Sequence, residues 1–262
     1  MHKLGILSAM EEETLALEHQ LEEAQTIQWG RWIFHEGRLA GFPVVMGRSG
    51  WGKVAAAAYT QSMIDRFGVD GILFIGVAGG LNPYIRRGDI VVATGVAQHD
   101  INARPFFPQG EIPLLGQREI ASANILCENA YRACTEIIQQ VGLYFYPTEL
   151  AELGIEKLKV HLGLALTGDQ VIFNATKKTE LLALFPEALS VDMESAAVGQ
   201  VCHALDVPFA VVRIISDAAD EQGEDNFSDF VERFVNRFTK PIVQDFVKVI
   251  AMTEVPRAGW RK

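Results

Sequence analysis

The chain has 262 residues, of which 49% are hydrophobic and 21% are charged, a profile that excludes a disordered or fibrous protein and predicts a packed core. Its length and uniform composition favour one large α/β domain over two small ones. The formal net charge is −10, from 33 acidic and 23 basic residues, which argues against nucleic acid or an anionic membrane as a partner and is compatible with an uncharged small molecule.

Short apolar runs alternate with longer amphipathic stretches along the first third of the chain. Residues 4–9 predict a buried strand, and residues 11–23 predict a helix with Leu15 and His19 on one face. The elements predicted next are strands at 32–34 and 43–46, an Ala-rich helix at 53–67 and a buried strand at 71–75.

The same alternation continues to the C-terminus, and it predicts a single-domain α/β fold in three layers, αβα, because such alternation builds a central sheet covered on both faces. The domain should span 1–252, with a polar and aromatic insertion at about 143–157 and a frayed tail at 253–262. The elements predicted here are strands at 89–93, 160–166, 189–191 and 208–215, helices at 125–141, 177–184 and 194–205, and a helical tail at 227–252 that Pro241 should kink or divide.

Cysteine usage and the N-terminus predict a cytoplasmic protein. Cys127, Cys134 and Cys202 show no CxxC spacing, so neither a disulfide framework nor a zinc cluster is expected. Residues 1–7 lack the charged and apolar regions of a signal peptide, and no apolar run approaches the length of a membrane span. No set of His, Cys or carboxylate residues has ligand spacing, so we expect no metal and no organic cofactor.

A glycine-rich segment follows the predicted strand at 71–75. It contains Gly76, Val77, Ala78, Gly79 and Gly80, and ligands of open α/β sheets usually bind where strands end. Glycines let the backbone approach a ligand closely, although a tight turn explains the segment equally well. The segment is neither GxGxxG nor a P-loop with its lysine, so it gives little support to a dinucleotide or a nucleoside triphosphate.

An acidic run of Glu11, Glu12 and Glu13 begins the first predicted helix, where the helix dipole favours carboxylates. A solvated first turn explains Glu11 and Glu12. For Glu13 two directions stay open, one into solvent and one back over the end of the preceding strand.

Two further acidic groups lie at strand ends. Met193 and Glu194 lie at a strand-to-helix junction, where Asp192 with Ser195 would also serve as a helix cap. Asp217 ends a strand rich in Val and Ile. An acid at such a strand end is more often functional than one on a helix face, with a helix N-cap as the alternative.

Taken in order along the chain, these segments resemble the methylthioadenosine/S-adenosylhomocysteine nucleosidases of the nucleoside phosphorylase superfamily. The resemblance spans about residues 1 to 250, and its specificity lies in the order of the motifs. It implies a nucleoside phosphorylase-like fold with a mixed sheet, a nucleoside substrate and a role in methionine salvage. The motifs are Gly5, Ala9-Met10-Glu11-Glu12-Glu13, Ser49-Gly50-Trp51-Gly52-Lys53-Val54, Gly76-Val77-Ala78-Gly79-Gly80, Gly88-Asp89-Ile90-Val91-Val92, His99-Asp100, Thr167-Gly168-Asp169, Met193-Glu194 and Ser216-Asp217.

The resemblance implies roles for the residues that match the family's reacting groups. Glu13 is similar to the base that activates the attacking water, and Arg213 to the residue that helps hold that water and Glu13. Asp217 resembles the acid that protonates adenine N7, with Ser216 positioning it. Adenine is a poor leaving group as an anion, so this proton lets it depart neutral while positive charge develops on the ribose.

Other matching residues are implied to bind the substrate. Glu194 is similar to the residue that grips the ribose hydroxyls, with Met193 packing on the sugar. The backbone around Ile172 would read the adenine edge. The glycine-rich residues implied to line the same pocket are Val77, Ala78 and Gly79.

Three positions depart from the family's pattern, and they bear on the substrate more than on the reaction. Val77 replaces a small hydroxyl residue, which removes a donor for water or phosphate and weakens the phosphorylase alternative. Trp51 replaces a small aliphatic residue near the 5′ substituent. Val171 replaces the aromatic residue that stacks on adenine, a role that would pass to Phe173.

Phe106 and Pro113 match a segment that in this family reaches into the neighbouring subunit's site, and Phe227 matches a residue that closes the tail pocket. The resemblance therefore implies a homodimer, and an aromatic loop buried within one chain is the alternative. The expected activity is hydrolysis of the N-glycosidic bond of a 5′-modified adenosine, with release of adenine. The alternatives are a purine nucleoside phosphorylase, a futalosine-type nucleosidase and a non-catalytic nucleoside-binding relative.

Overall fold

The computed structural model describes residues 1–113, 115–219 and 227–252. Strands and helices alternate along these residues, as predicted. The strands are β1 (Leu4–Ser8), β2 (Glu22–Trp29), β3 (Trp32–Leu39), β4 (Phe42–Arg48), β5 (Gly71–Gly80), β6 (Ile90–Gln98), β7 (Glu119–Ala121), β8 (Val160–Thr167), β9 (Ala188–Asp192) and β10 (Phe209–Asp217).

The helices agree with prediction most closely at 53–67, where an Ala-rich helix ends at Gly68 in the left-handed conformation that glycine favours. A 3₁₀ turn at Val141–Leu143 follows the third helix, and a π-helical turn at Val231–Val235 joins the last two. The α-helices are α1 (Leu15–Glu18), α2 (Lys53–Phe67), α3 (Asn124–Gln139), α4 (Pro147–Glu152), α5 (Ala175–Leu184), α6 (Ser195–Ala204), α7 (Phe227–Phe230) and α8 (Asn236–Met252).

The strands form one mixed sheet, which confirms the predicted fold class. Their order is β10-β6-β8-β9-β5-β1-β4-β3-β2, with β7 beside β6. Because β10 also pairs with β5 in parallel, the strands β5, β9, β8, β6 and β10 close into a ring. The other strands, β1, β4, β3 and β2, extend this ring on one side.

Apolar side chains fill both faces of the sheet. On β1, Leu4 and Ile6 belong to the core shared with α3 and α8, whereas Leu7 belongs to the core shared with α2 and α6. Successive side chains of a strand point to opposite faces, so the helices lie in two layers with the sheet between them.

One edge of the sheet collects several strand ends. The strands β1, β5 and β10 are mutually parallel, so their carboxyl ends lie together. Val191, near the end of β9, pairs with Gly79 near the end of β5. Open α/β sheets place ligands at such carboxyl ends, and the candidate site lies here.

Two predictions near this edge are wrong. The helix predicted at 11–23 is reduced to Leu15–Glu18, and β2 begins at Glu22. Helical spacing of Leu15 and His19 misled the prediction, while β2 is almost wholly exposed and lacks an apolar alternation. The glycine-rich segment does not follow its strand, because β5 continues through Gly80.

The C-terminal region also differs from expectation. Helix α8 runs undivided through Pro241, and the irregularity lies earlier, at Val231–Val235.

The insertion at 143–157 packs into the core, since the ring of Phe145 lies 4.9 Å from that of Phe234. The predicted tail at 253–262 lies outside the described residues. No helix in the described part of the chain has both the length and the apolar character needed to cross a membrane.

Candidate active site

A cavity of about 500 Å³ opens at the edge where β1, β5, β9 and β10 end. This volume is typical of sites for small molecules. Most of the predicted site residues line it: Glu13, Trp51, Val77, Ala78, Gly79, Val171, Ile172, Met193, Glu194, Ser216, Asp217 and Phe227.

Glu13 lies in the turn that follows β1, and its side chain is only 1% exposed. Backbone N–H groups of Ala9 and Met10 donate to Oε2 at 2.9 and 2.7 Å, and that of Val77 donates to Oε1 at 2.9 Å. Burial raises the pKa of Glu13, against the smaller opposing effects of the Arg213 charge and these donors. Glu11 and Glu12 are exposed, so Glu13 is the one buried residue of the acidic run.

Gly76 on β5 leaves the space that Glu13 and Arg213 need. A Cβ atom at this position would lie 2.3 Å from Glu13 Oε1 and 2.6 Å from Arg213 Nη1. Any other residue at position 76 would displace one of these two groups. Here a sequence signal, the glycine-rich segment, has a definite physical cause.

Arg213 does not line the cavity but lies behind it, fully buried on β10. Its Nε donates to Asp192 Oδ2 at 2.8 Å and to Ser195 Oγ at 3.0 Å, and its guanidinium carbon lies 4.0 Å from the ring centre of Phe74. Its Nη2 atom is buried and has no hydrogen-bond partner among the described residues. Arg213 thus brings a buried positive charge close to Glu13.

Asp192 does more than cap a helix. Its Oδ1 accepts the N–H groups of Glu194 and Ser195, both at 3.0 Å, which confirms the capping arrangement considered from the sequence. The same oxygen accepts the Thr167 hydroxyl at 2.6 Å, and Oδ2 pairs with Arg213. Asp192 therefore joins β8, β9, α6 and β10 at the floor of the site.

Glu194 is the N-cap residue immediately before helix α6 and is 6% exposed. Its Oε1 accepts the N–H of Gly52, immediately before helix α2, at 2.8 Å. Burial, together with the negative charge of Asp192, raises the pKa of Glu194 to about 7.

Asp217 ends β10 and also lines the cavity. The Ser216 hydroxyl donates to Oδ2 at 2.6 Å and the Ala219 N–H donates to Oδ1 at 2.8 Å, so the carboxyl group has a fixed orientation. On β5, the N–H of Val77 donates to Glu13, and Gly79 is the strand partner of Asp217. The two groups are anchored two residues apart, roughly 7 Å along the strand.

The mouth of the cavity is apolar. Trp51 is 60% exposed and Val171 is 52% exposed, and Phe173 and Phe227 line the same opening. The charged residues that line the cavity are all acidic: Glu13, Asp192, Glu194 and Asp217. Among the described residues no group of three or more His, Cys, Asp or Glu side chains is arranged to hold a metal ion.

Besides Arg213, two predicted site residues do not line this cavity. Phe106 is 86% exposed in the segment between β6 and β7, and Pro113 lies in the same segment. Sequence reasoning in turn gave no site role to some residues that line the cavity. These residues are Ala9, Met10, Gln170, Val191, Asp192 and Ser228. The ends of β1 and β9 and the junction at 168–174 were the available signals for the first five, and Ser228 in α7 had no such signal.

Comparison with known proteins identifies the family. The profile of the phosphorylase superfamily matches residues 3–248. A 5′-methylthioadenosine/S-adenosylhomocysteine nucleosidase from Aeromonas salmonicida is 36% identical over 230 residues, which cover 88% of this chain and 92% of the relative.

Solved structures agree. The crystal structure of such a nucleosidase from Neisseria meningitidis in complex with methylthio-immucillin-A is 32% identical, with a TM-score of 0.82 over 95% of this chain and 100% of that chain. A futalosine hydrolase mutant of Helicobacter pylori is 30% identical, with a TM-score of 0.80 over 95% and 100% of the two chains. The chain therefore belongs to the phosphorylase superfamily and, within it, to the 5′-methylthioadenosine/S-adenosylhomocysteine nucleosidase family.

Proposed function

We propose that this chain hydrolyses the N-glycosidic bond of a 5′-thio-substituted adenosine, such as 5′-methylthioadenosine or S-adenosylhomocysteine, and releases adenine. The observation that carries the proposal is the set of three acidic groups, Glu13, Glu194 and Asp217, around one cavity of nucleoside size. Relatives support the substrate class, because the Aeromonas salmonicida protein is named for both nucleosides and the Neisseria meningitidis structure holds methylthio-immucillin-A.

Asp217 is proposed as the acid. Its proton passes to adenine N7, the bond between C1′ and N9 breaks with both electrons moving to the base, and adenine leaves neutral. Positive charge then develops on the ribose, as in glycoside hydrolysis. The bonds from Ser216 and Ala219 support this role, because they hold the carboxyl group in one orientation.

Glu13 is proposed as the base. It takes a proton from the water whose oxygen bonds to C1′, so the products are adenine and a free sugar. Arg213 supports this role, since its buried positive charge favours the ionised form of Glu13, which is the form that accepts a proton.

Glu194 is proposed to accept hydrogen bonds from the ribose hydroxyls, with Met193 against the sugar. Its second carboxyl oxygen supports this role, because the Gly52 N–H occupies only Oε1. The backbone at Ile172 would read the adenine edge, with Val171 and Phe173 beside the base. Val77, Ala78 and Gly79 would form the wall under the sugar.

The 5′ substituent is proposed to lie against Trp51 and Phe227 at the apolar mouth. Trp51 precedes Gly52, which bonds Glu194, so the indole lies beside the ribose end of the cavity. We infer that Phe106 and Pro113 of a second copy complete this mouth in a homodimer. The large exposure of Phe106 supports this inference, since an isolated chain leaves an aromatic side chain in water.

A role in methionine salvage in the cytoplasm is part of the same proposal. It is supported by the substrates for which the relatives are named and by the three cysteines, Cys127, Cys134 and Cys202, which are all free and buried.

A second candidate substrate is a futalosine-type nucleoside, which the likeness to the Helicobacter pylori hydrolase favours. The test is a panel containing 5′-methylthioadenosine, S-adenosylhomocysteine, adenosine and a futalosine-type nucleoside, with the released base identified by chromatography. We expect adenine from the two thio-substituted nucleosides. Release of base from none of the four would overturn the proposal, and release from the futalosine-type nucleoside alone would favour the second candidate.

A further inference from the structure

Outside the cavity, three charged residues form a closed ring of hydrogen bonds. Lys53 Nζ donates to Asp100 Oδ1 at 2.7 Å, and the N–H of Asp169 donates to Asp100 Oδ2 at 2.9 Å. The N–H of Lys53 donates to Asp169 Oδ1 at 2.9 Å, which closes the ring. None of the three residues lines the cavity.

Each member of the ring belongs to a different segment around the site. Lys53 begins helix α2 and follows Gly52, whose N–H holds Glu194. Asp169 immediately precedes the cavity-lining residues 170–173. Asp100 follows β6 and begins the segment that leads to Phe106. The ring therefore links the ribose side of the site to the base side.

The base side needs such a link because residues 168–174 form neither helix nor strand. Within the ring, the Lys53–Asp100 pair is less screened by solvent than an ordinary surface ion pair, since these side chains are only 19% and 20% exposed, whereas the Asp169 side chain is 50% exposed. Burial would raise the pKa of Asp100, but its bonds with Lys53 and Asp169 outweigh burial and hold that pKa below its usual value.

We propose that Lys53, Asp100 and Asp169 are positioning residues that fix the base-binding segment 170–173 at a set distance from Glu194. This inference rests on the proposed function. A nucleoside must contact both sides of the site at once, whereas free adenine contacts only the base side. Loss of the ring should therefore weaken binding of the nucleoside more than binding of adenine.

The first test compares Lys53→Met with the native protein. Because misplacement of a binding group by about 1 Å can cost up to 100-fold, we expect KM for 5′-methylthioadenosine to rise about tenfold or more. The Ki of adenine should rise less, and kcat should change less than about threefold, since Glu13 and Asp217 are untouched. Lys53→Arg, which keeps a cation that can reach Asp100, should restore most of the KM.

Lys3→Met is the matched control, because Lys3 Nζ bonds Glu36 at 2.6 Å with side-chain exposures of 27% and 33%, at the opposite end of β1. It should alter stability by a similar amount and leave KM unchanged. Asp100→Ala, alone and with Lys53→Met, completes a double-mutant cycle in which the two effects on KM should not multiply.

An unchanged KM in Lys53→Met, or an equal rise in KM in Lys3→Met, would overturn the inference. The proposed function would still stand in that case, because it depends on the turnover of the native protein. Equal weakening of adenine and nucleoside binding would also overturn it. A native protein that releases no adenine from 5′-methylthioadenosine would overturn the proposed function, and the inference with it.

Discussion

A buried carboxylate costs free energy unless its oxygens are satisfied, and Glu13 meets this condition through the backbone. Three N–H groups, from Ala9, Met10 and Val77, hold it. A glutamine side chain cannot replace Glu13 without loss, because its amide N–H would point toward one of these three N–H donors. The same contacts leave one lone pair of Oε1 for another donor, such as a water.

We predict that Glu13→Gln lowers kcat for adenine release by about 10²- to 10⁴-fold, the usual contribution of a general base. Initial rates measured by adenine absorbance or chromatography check this. Glu12→Gln is the matched control, since Glu12 is an exposed neighbour of the same type, and it should retain the native rate. A Glu13→Gln variant as fast as Glu12→Gln would remove Glu13 from the mechanism.

The pH dependence of catalysis should report two buried glutamates. Burial raises the pKa of Glu13 and brings that of Glu194 to about 7. A base and an acceptor both work in the ionised form, so activity is lost as the pH falls through the raised values. We predict that kcat/KM falls on the acidic side with a midpoint nearer 7 than the ordinary glutamate value of 4.5.

The measurement is kcat/KM from about pH 5 to pH 9 for the native protein and Glu194→Gln. In the variant one ionisation is missing, so the acidic limb should become shallower and move to lower pH. A native limb centred at the ordinary glutamate value would contradict the prediction.

How far the sequence predicts the site differs from residue to residue. Glu13 was separable from Glu11 and Glu12 only through the resemblance, because a run of three identical residues carries no directional signal. The capping by Asp192 was readable from its neighbours Glu194 and Ser195. Its pairing with Arg213 was not, since 21 positions separate the two residues and only the sheet, in which β5 pairs with both β9 and β10, brings them together.

At the scale of elements, the Asp192–Arg213 pair joins β9 to β10 with side-chain exposures of 2% and 1%. Removing one partner of such a pair leaves a buried charge uncompensated. We predict that Asp192→Asn lowers the free energy of unfolding by about 3 to 5 kcal/mol, measured by urea denaturation. Asp65→Asn, on the exposed side of α2, should change it by less than about 0.5 kcal/mol. Equal stability of the two variants would refute this.

Element prediction succeeded where burial is one-sided or complete. The helix at 53–67 was predicted with the correct ends. The predicted ends of β1 and β8 differ from the observed ends by one residue at most. It failed at 11–23, because the acidic turn before α1 and the exposed strand β2 carry no apolar pattern of the right period. It also shortened β5, since glycines usually mark the end of a strand and here Gly76 clears space for Glu13 and Arg213 within the strand.

At the scale of the whole molecule, the closure of five strands into a ring could not be read from the sequence. It depends on β10 pairing with both β5 and β6, a contact between elements more than 100 residues apart. That closure brings Asp217 to the cavity that Glu13 also lines, so the proposed catalytic pair is a product of topology and not of any local motif.

The proposed homodimer makes a further prediction at this scale. If Phe106 acts in the neighbouring site, a heterodimer of one Glu13→Gln subunit and one Phe106→Ala subunit contains one intact site of two. Isolated with two affinity tags, it should show about half the native activity per dimer, while each parent homodimer is impaired. A heterodimer no more active than its parents, or a monomer by light scattering, would contradict the shared site.

The most direct test of the central claim is a product analysis of the native protein with 5′-methylthioadenosine, in the presence and absence of phosphate. We predict that adenine and a free 5-methylthio sugar form at the same rate in both reactions, because water is the nucleophile and Val77 offers no side-chain donor to a phosphate. Formation of a sugar 1-phosphate, or adenine release only when phosphate is added, would contradict hydrolysis and identify a phosphorylase.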